Sequence, residues 1–345
     1  MKGAEIFIVT TLFSWLLGFP VRKLLVRWNI IDRPNARSSH IEPVARGGGL
    51  GILFAVVAMV AIAVPVEERV VAWLASGIGV AVISFVDDLR PQPAWLRFGC
   101  HLAGAALILW ALGFPLLRVG FTAESGWWMP LVLSAAVALF FFVGHTNAFN
   151  FMDGINGIAA GQAAVTGAGM ALLAGLASGK WNSAPELLCW VIAGAGAGFL
   201  PHNFPRARMF MGDVSSAPLG LLLAALVVWL AAEHGAWLLL PLGLMHANFL
   251  LDTAITLVRR VSRGERWHEA HREHFYQRLI RSGKSHAFVT GAEMGLQLLT
   301  FGLLAGYVRA ESGLRPWLAA GVVGLWLGFF GWAEAEFRRA QTAQA

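Results

Sequence analysis

Eleven apolar stretches, most of them close to 20 residues long, punctuate this chain and leave few folds open to it. They cover roughly residues 4–21, 48–65, 70–86, 98–114, 128–148, 157–178, 186–201, 214–232, 237–258, 287–307 and 316–335. About 20 apolar residues in a helix span a hydrocarbon core, where the backbone must satisfy its own N–H and C=O groups. The residues are 57% hydrophobic and only 13% charged, whereas soluble domains carry about 25% charged residues. The expectation is an all-α polytopic integral membrane protein with about 10–11 transmembrane helices. It folds as a single membrane domain over residues 1–345. The first stretch, Ile6 to Phe19, lacks a sizeable basic leader and a small-residue cleavage site, so it reads as a retained helix. Cys100 and Cys189 both fall in apolar stretches, which speaks against a disulfide framework or a cysteine metal site.

The basic residues orient the chain. Of its 26 Lys and Arg, twenty lie in the loops on one side of the spans. The positive-inside rule puts that side in the cytoplasm, with the N-terminus outside and the C-terminus cytoplasmic. A net charge of +6 alone would suggest nucleic acid. Its confinement to juxtamembrane loops makes it a topology signal, so the expected partner is a lipid bilayer and no nucleic acid. Trp73, Trp127, Trp128, Trp237 and Trp317 fall near the opposite ends of the spans, where amphipathic rings favour the interface.

Carboxylates are expensive near lipid and therefore informative. Asp87 and Asp88, Asp153 and Asp213 all fall at helix ends on the basic side, and Asp252 lies within the ninth span. The loops around 22–47, 87–97, 147–157, 201–216 and 259–286 thus form the chemical face. Adjacent Asp87 and Asp88 repel unless a proton or a cation separates them, and a hard ion such as Mg²⁺ resolves that repulsion. A solvated flank explains the pair equally well. Asn147, Asn150, Asp153 and Asn156 crowd one short segment in which Gly154 and Gly157 permit close backbone approach. The plain alternative there is a capped turn. Asp213, Ser215 and Ser216 open the eighth span as ordinary caps or as a phosphate-facing helix N-terminus. His268, His271, His274 and His286 sit among arginines, a mixture suited to an anionic ligand or to anionic lipid. Arg46 precedes Gly47-Gly48-Gly49, either a phosphate nest or a close helix-packing site.

The order of these segments is more specific than any one of them. VDDLRP, NAFNFMDGINGIAAGQ, FMGDVSSAPLG and HREHFYQRL, preceded by DRPNARSSH and PVARGGGLG, closely resemble the polyprenyl-phosphate N-acetylhexosamine-1-phosphate transferases. This is glycosyltransferase family 4, and the AHREHFYQRL form is similar to its O-antigen-initiating branch. The resemblance runs from about residue 5 to 335. It implies transfer of a sugar 1-phosphate from a UDP-activated amino sugar to undecaprenyl phosphate, with release of UMP. It further implies a bacterial inner-membrane location, a cytoplasmic active site, Mg²⁺ (with Mn²⁺ able to substitute) and an assembly that includes a homodimer. By the same resemblance Asp87, Asp88 and Asp153 are catalytic, with Asp213 and Asp88 at the metal. Asn150, Asn156, Arg46, Gly48, His271, Arg272 and His274 bind substrate. Asn156 departs from the common bacterial pattern, which has Asp there, and HREH departs from the tighter HxHH form.

Two other classes compete with this reading. A secondary transporter would place polar residues near the midplane and show internal repeats; here the carboxylates gather at one face and no repeat is visible. A CDP-alcohol phosphatidyltransferase would continue its DG with a spaced Arg and two further Asp, whereas DGINGI does not.

Overall fold

The computed structural model describes residues 2–34, 42–122, 125–265 and 271–344. Arg37, Glu124, Arg266 and His268 lie outside the described residues. The helices are α1 (Gly3–Arg27), α2 (Leu50–Ala63), α3 (Glu68–Leu89), α4 (Ala94–Ala111), α5 (Leu131–Met152), α6 (Ile158–Ser178) and α7 (Ala184–Asn203). They continue with α8 (Asp213–His234), α9 (Leu239–Leu244), α10 (Ala247–Ser262), α11 (Phe275–Arg281), α12 (His286–Arg309) and α13 (Arg315–Gln344). Very short strands join them: β1 (Ile31–Asp32), β2 (Val44–Arg46), β3 (Arg118–Val119), β4 (Trp127–Trp128) and β5 (Met209–Phe210).

The chain is an all-α polytopic membrane protein. Among the described residues nine helices are long and apolar enough to cross a membrane, or ten with α9 and α10 taken as one bent span. The second expected span is shorter than its sequence suggests. Its 14 residues cover about 21 Å at 1.5 Å per residue, and Val64, extended before Pro65, ends the helix there. The ninth expected span is broken, with α9 and α10 meeting at 72°. At the break the Met245 carbonyl accepts from the side chains of Gln297 (2.5 Å), Gln162 (3.3 Å) and Thr166 (3.3 Å). Side-chain donors thereby replace the helical N–H that the break removes.

α8 is the axis of the bundle. Its sequence is apolar on every side, which suits only a helix surrounded by protein, and its membrane-length window is entirely buried. α3, α5, α6 and α7 pack on it, and Trp73 Nε1 donates to the Leu222 carbonyl at 3.0 Å. Small residues set the spacing elsewhere. A Cβ on Gly194 or Gly198 would lie 2.6 Å or 2.3 Å from the α1 carbonyl of Phe7 or Thr11, and one on Gly196 would lie 2.7 Å from Ala160 O in α6. The GAGAG run of α7 thus lets two neighbours approach at backbone distance.

At one end of the bundle β1 pairs antiparallel with β2, and β2 pairs parallel with β5. This small sheet ties the segment before α2 to the segment before α8. At the other end β3 pairs with β4.

Candidate active site

The site is assembled where α3 and α5 end and α8 begins. Consecutive residues on a helix diverge by about 100°, so Asp87 and Asp88 cannot face one partner together. Asp88 turns toward α8, where its oxygens accept from the backbone N–H groups of Asp213 (3.2 Å) and Val214 (3.0 Å). It supplies the N-terminal cap of α8 from a different helix. Asp87 turns the other way, accepting from Gln92 N at 2.6 Å and Arg97 Nη1 at 3.0 Å. The expected repulsion within the pair is relieved by divergence, each carboxylate having its own arginine.

Arg46, at the end of β2, bridges Asp88 (2.7 Å) and Asp213 (3.0 Å) through Nη2. Asp213 also accepts from Asn150 Nδ2 at 3.2 Å, and Asn150 Oδ1 accepts from Ser216 Oγ at 2.6 Å. The β2–β5 pairing delivers Arg46 to this point, with Gly48 N–H donating to Phe210 O at 2.8 Å and Gly49 N–H to Met211 O at 2.9 Å. Those amides therefore do not form an open phosphate nest. The glycines serve close packing instead: a Cβ on Gly48 would lie 2.8 Å from Met209 Cγ, and one on Gly49 would lie 2.2 Å from Ser215 Cβ.

The Asn-rich segment is not the loop expected over 147–157. α5 continues to Met152, which puts Asn147 and Asn150 on its last turns, and Asp153 ends it. Burial pushes the Asp153 carboxyl up to about 7; Asp213 and Asp88 add to the rise while Arg46 opposes it. Asn156 faces elsewhere, its Nδ2 donating to Pro205 O (3.1 Å) and its carbonyl accepting from Thr290 Oγ1 (2.8 Å). Gly154 is required by protein packing, since a Cβ there would lie 2.0 Å from the Tyr276 hydroxyl. That hydroxyl donates to Phe151 O at 2.9 Å.

The HREH segment is not helical. α11 begins at Phe275 with His274 as its N-terminal cap residue. His274 is buried, its Nδ1 lying 2.8 Å from Asp252 Oδ1, while Phe275 N–H donates to Asp252 Oδ2 at 2.9 Å. Asp252 is therefore the anchor of this loop. His271 rests against His274 with ring centroids 4.9 Å apart. Burial, followed by the neighbouring His274 and Arg260, lowers His271 to about 4, so it is a neutral imidazole at pH 7. Arg272 is half-buried beside it, and its carbonyl accepts from Arg281 Nη1 at 3.2 Å.

Ser216, read from the sequence as a helix cap or part of a phosphate-facing N-terminus, orients Asn150. One residue of this region escaped the sequence reading. His101, a lone histidine in an apolar helix, is buried with Nδ1 unpartnered and interacts electrostatically with Arg97 and Asp213. No spacing rule singles it out.

The donor chemistry suits a divalent cation. Asp88 and Asp213 share one guanidinium and Asp153 interacts electrostatically with all three, which supplies hard oxygen donors, although among the described residues no three His, Cys, Asp or Glu side chains are gathered around one point. Both oxygens of Asp88 and both of Asp213 already accept hydrogen bonds from the protein. Asp88 is committed to the first backbone N–H groups of α8, which leaves Asp213 and Asp153 as the carboxylates that would hold such an ion.

A bundle of membrane-length helices with a carboxylate-arginine centre at one end defines a polytopic membrane protein. The model of glycosyl transferase family 4 matches residues 70–231, from α3 through most of α8. A decaprenyl-phosphate N-acetylglucosaminephosphotransferase of Mycolicibacterium smegmatis is 30% identical over 293 residues, 77% of this chain and 72% of the relative. A Bacillus subtilis protein described as a probable undecaprenyl-phosphate N-acetylglucosaminyl 1-phosphate transferase is 28% identical, covering 81% of this chain and 78% of its own. A Synechococcus phospho-N-acetylmuramoyl-pentapeptide-transferase is 29% identical, covering 86% and 89%. The chain belongs to glycosyl transferase family 4.

Proposed function

We propose that this protein transfers an N-acetylhexosamine 1-phosphate from a UDP-activated sugar to undecaprenyl phosphate at the cytoplasmic face of a bacterial inner membrane. The single observation that carries the reading is Arg46 bridging Asp88 and Asp213, three residues from separate loops joined at one end of a family 4 bundle. The names of the mycobacterial and Bacillus relatives favour N-acetylglucosamine as the sugar.

A phosphate oxygen of the lipid attacks the sugar-bearing β-phosphorus of the donor. The bond from that phosphorus to the bridging oxygen breaks, UMP leaves, and a lipid-linked pyrophosphoryl sugar remains. The acceptor phosphate is already ionised, so positioning and charge neutralisation are the main demands. Mg²⁺, or Mn²⁺ in its place, held by Asp213 and Asp153, would neutralise the diphosphate. Arg46 holds Asp213 and Asp88 in register, Asn150 steadies Asp213, and the neutral His271 with Arg272 offers donors to the diphosphate. Asp88 and His274 act through what they hold, namely the start of α8 and the loop before α11. The lipid product suits the first membrane step of O-antigen or a related surface polysaccharide.

Purified protein given UDP-N-acetylglucosamine, undecaprenyl phosphate and Mg²⁺ is expected to release UMP, and to release none when either the lipid or the metal is omitted. Silence across a panel of UDP-amino sugars with both present overturns the proposal.

A further inference from the structure

Away from the candidate active site, a second polar cluster lies inside the bundle where α10 leaves its break. Asn248 on α10, Glu293 and Gln297 on α12, and Gln162 and Thr166 on α6 are all buried. Asn248 Nδ2 donates to Gln162 Oε1 (2.8 Å) and Glu293 Oε2 (3.4 Å). Gln162 Nε2 donates to Thr166 Oγ1 at 2.8 Å, and Gln297 Nε2 donates to Thr166 Oγ1 (3.2 Å) and to the freed Met245 carbonyl. Every amide nitrogen of the cluster is thus engaged. Three oxygens are not: Glu293 Oε1, Gln297 Oε1 and Asn248 Oδ1 are buried without a donor.

Buried polar groups in folded proteins are nearly always satisfied, and a buried carboxylate needs a compensating charge. The imbalance here is entirely one of acceptors. A proton on Glu293 would turn one orphan oxygen into a donor for a second and leave the third unpaired. A water brings two hydrogens and no charge. A cation engages oxygen acceptors and neutralises the carboxylate at once. One carboxylate among neutral amide oxygens matches a single positive charge, whereas Mg²⁺ favours more carboxylates and retains its waters.

We propose that Glu293, Gln297 and Asn248 form an internal site for a dehydrated monovalent cation of the sodium class. The site braces the break between α9 and α10. Asn248 and Asp252 stand one turn apart on the same face of α10, and Asp252 is the anchor of His274 and α11. Asp252 also repels Glu293 electrostatically. Filling the site therefore steadies the helix that holds the histidine loop.

The test uses the full chain purified in detergent and dialysed to trace sodium. Equilibrium dialysis with radiolabelled Na⁺ is expected to show one ion bound per chain. Tm is expected to rise saturably with NaCl, by about 5 °C over N-methylglucamine chloride of equal ionic strength. Glu293→Gln, which keeps the shape and removes the charge, is expected to weaken Na⁺ binding at least about 10-fold and to flatten the Tm response. Absence of bound Na⁺ in the parent chain, or unchanged binding in Glu293→Gln, overturns the proposal. The parent measurement decides alone if the variant does not fold. Neither sugar nor lipid substrate is present, so the outcome is independent of the transferase reaction.

Discussion

Asp88 caps the helix that carries Asp213: a carboxylate at the end of α3 accepts the first backbone N–H groups of α8, 3.2 Å from Asp213 N and 3.0 Å from Val214 N. Arg46 binds both side chains, so the three groups hold one another in place. Asp88→Ala is expected to lower stability by about 1–2 kcal/mol through the lost cap. Asp88→Asn retains much of the stability and lowers UMP release by about 100-fold or more, because the charge that positions Arg46 is gone. Unfolding curves measured beside turnover separate the two effects.

Arg46→Lys keeps the charge and loses the planar fork. An ammonium is not expected to reproduce the bridge between Asp88 and Asp213, so the variant should retain its fold and lose most of its activity. Parent-like turnover in Arg46→Lys would show that charge alone suffices at this position.

Gly212 lies between these groups with φ near +78°, and a Cβ there would stand 2.8 Å from Asp88 Oδ2. Gly212→Ala faces both backbone strain of about 1–3 kcal/mol and a clash with the capping carboxylate. The expected outcome is a lowered Tm together with lost turnover, measurable on the same preparation.

Asp153 gives a pH signature. Its carboxyl is pushed up to about 7 from the ordinary value of 3.8, so between these pH values the native chain keeps a proton that the unfolded chain has released. Stability from this group is full below about pH 4 and declines as pH rises toward 7. Asp153→Asn cannot ionise. Its Tm relative to the parent should rise from pH 5 to pH 8, while its turnover is lost at every pH. A constant Tm difference across that range contradicts the assignment.

His274 and Asp252 are both buried and 2.8 Å apart. His274→Ala removes one of the hydrogen-bond partners of Asp252, beside Thr256 Oγ1 and Phe275 N–H, and should free the segment before α11, at a cost of about 1–3 kcal/mol. Faster proteolysis between residues 259 and 286, with the rest of the chain intact, is the expected readout. His271→Ala is expected to lower turnover without that change, since its ring only rests on His274.

The polarity of the spans and the place of most of them were legible in the sequence, because lipid demands about 20 apolar residues per crossing and this chain repeats that unit from Ile6 to Trp332. The order of the acidic and histidine-bearing segments was equally legible, and it was enough to suggest the family. Three-dimensional packing decided the rest. A run of apolar residues from 237 to 258 does not announce a 72° break, because its freed carbonyl is satisfied by glutamines and a threonine distant in sequence. Adjacent Asp87 and Asp88 look like a pair until the helix turns them toward different arginines. Three glycines look like a phosphate loop until Phe210 and Met211 take the amides of Gly48 and Gly49. Local sequence records which chemistry is present, while the direction of each side chain depends on the neighbour that packs against it.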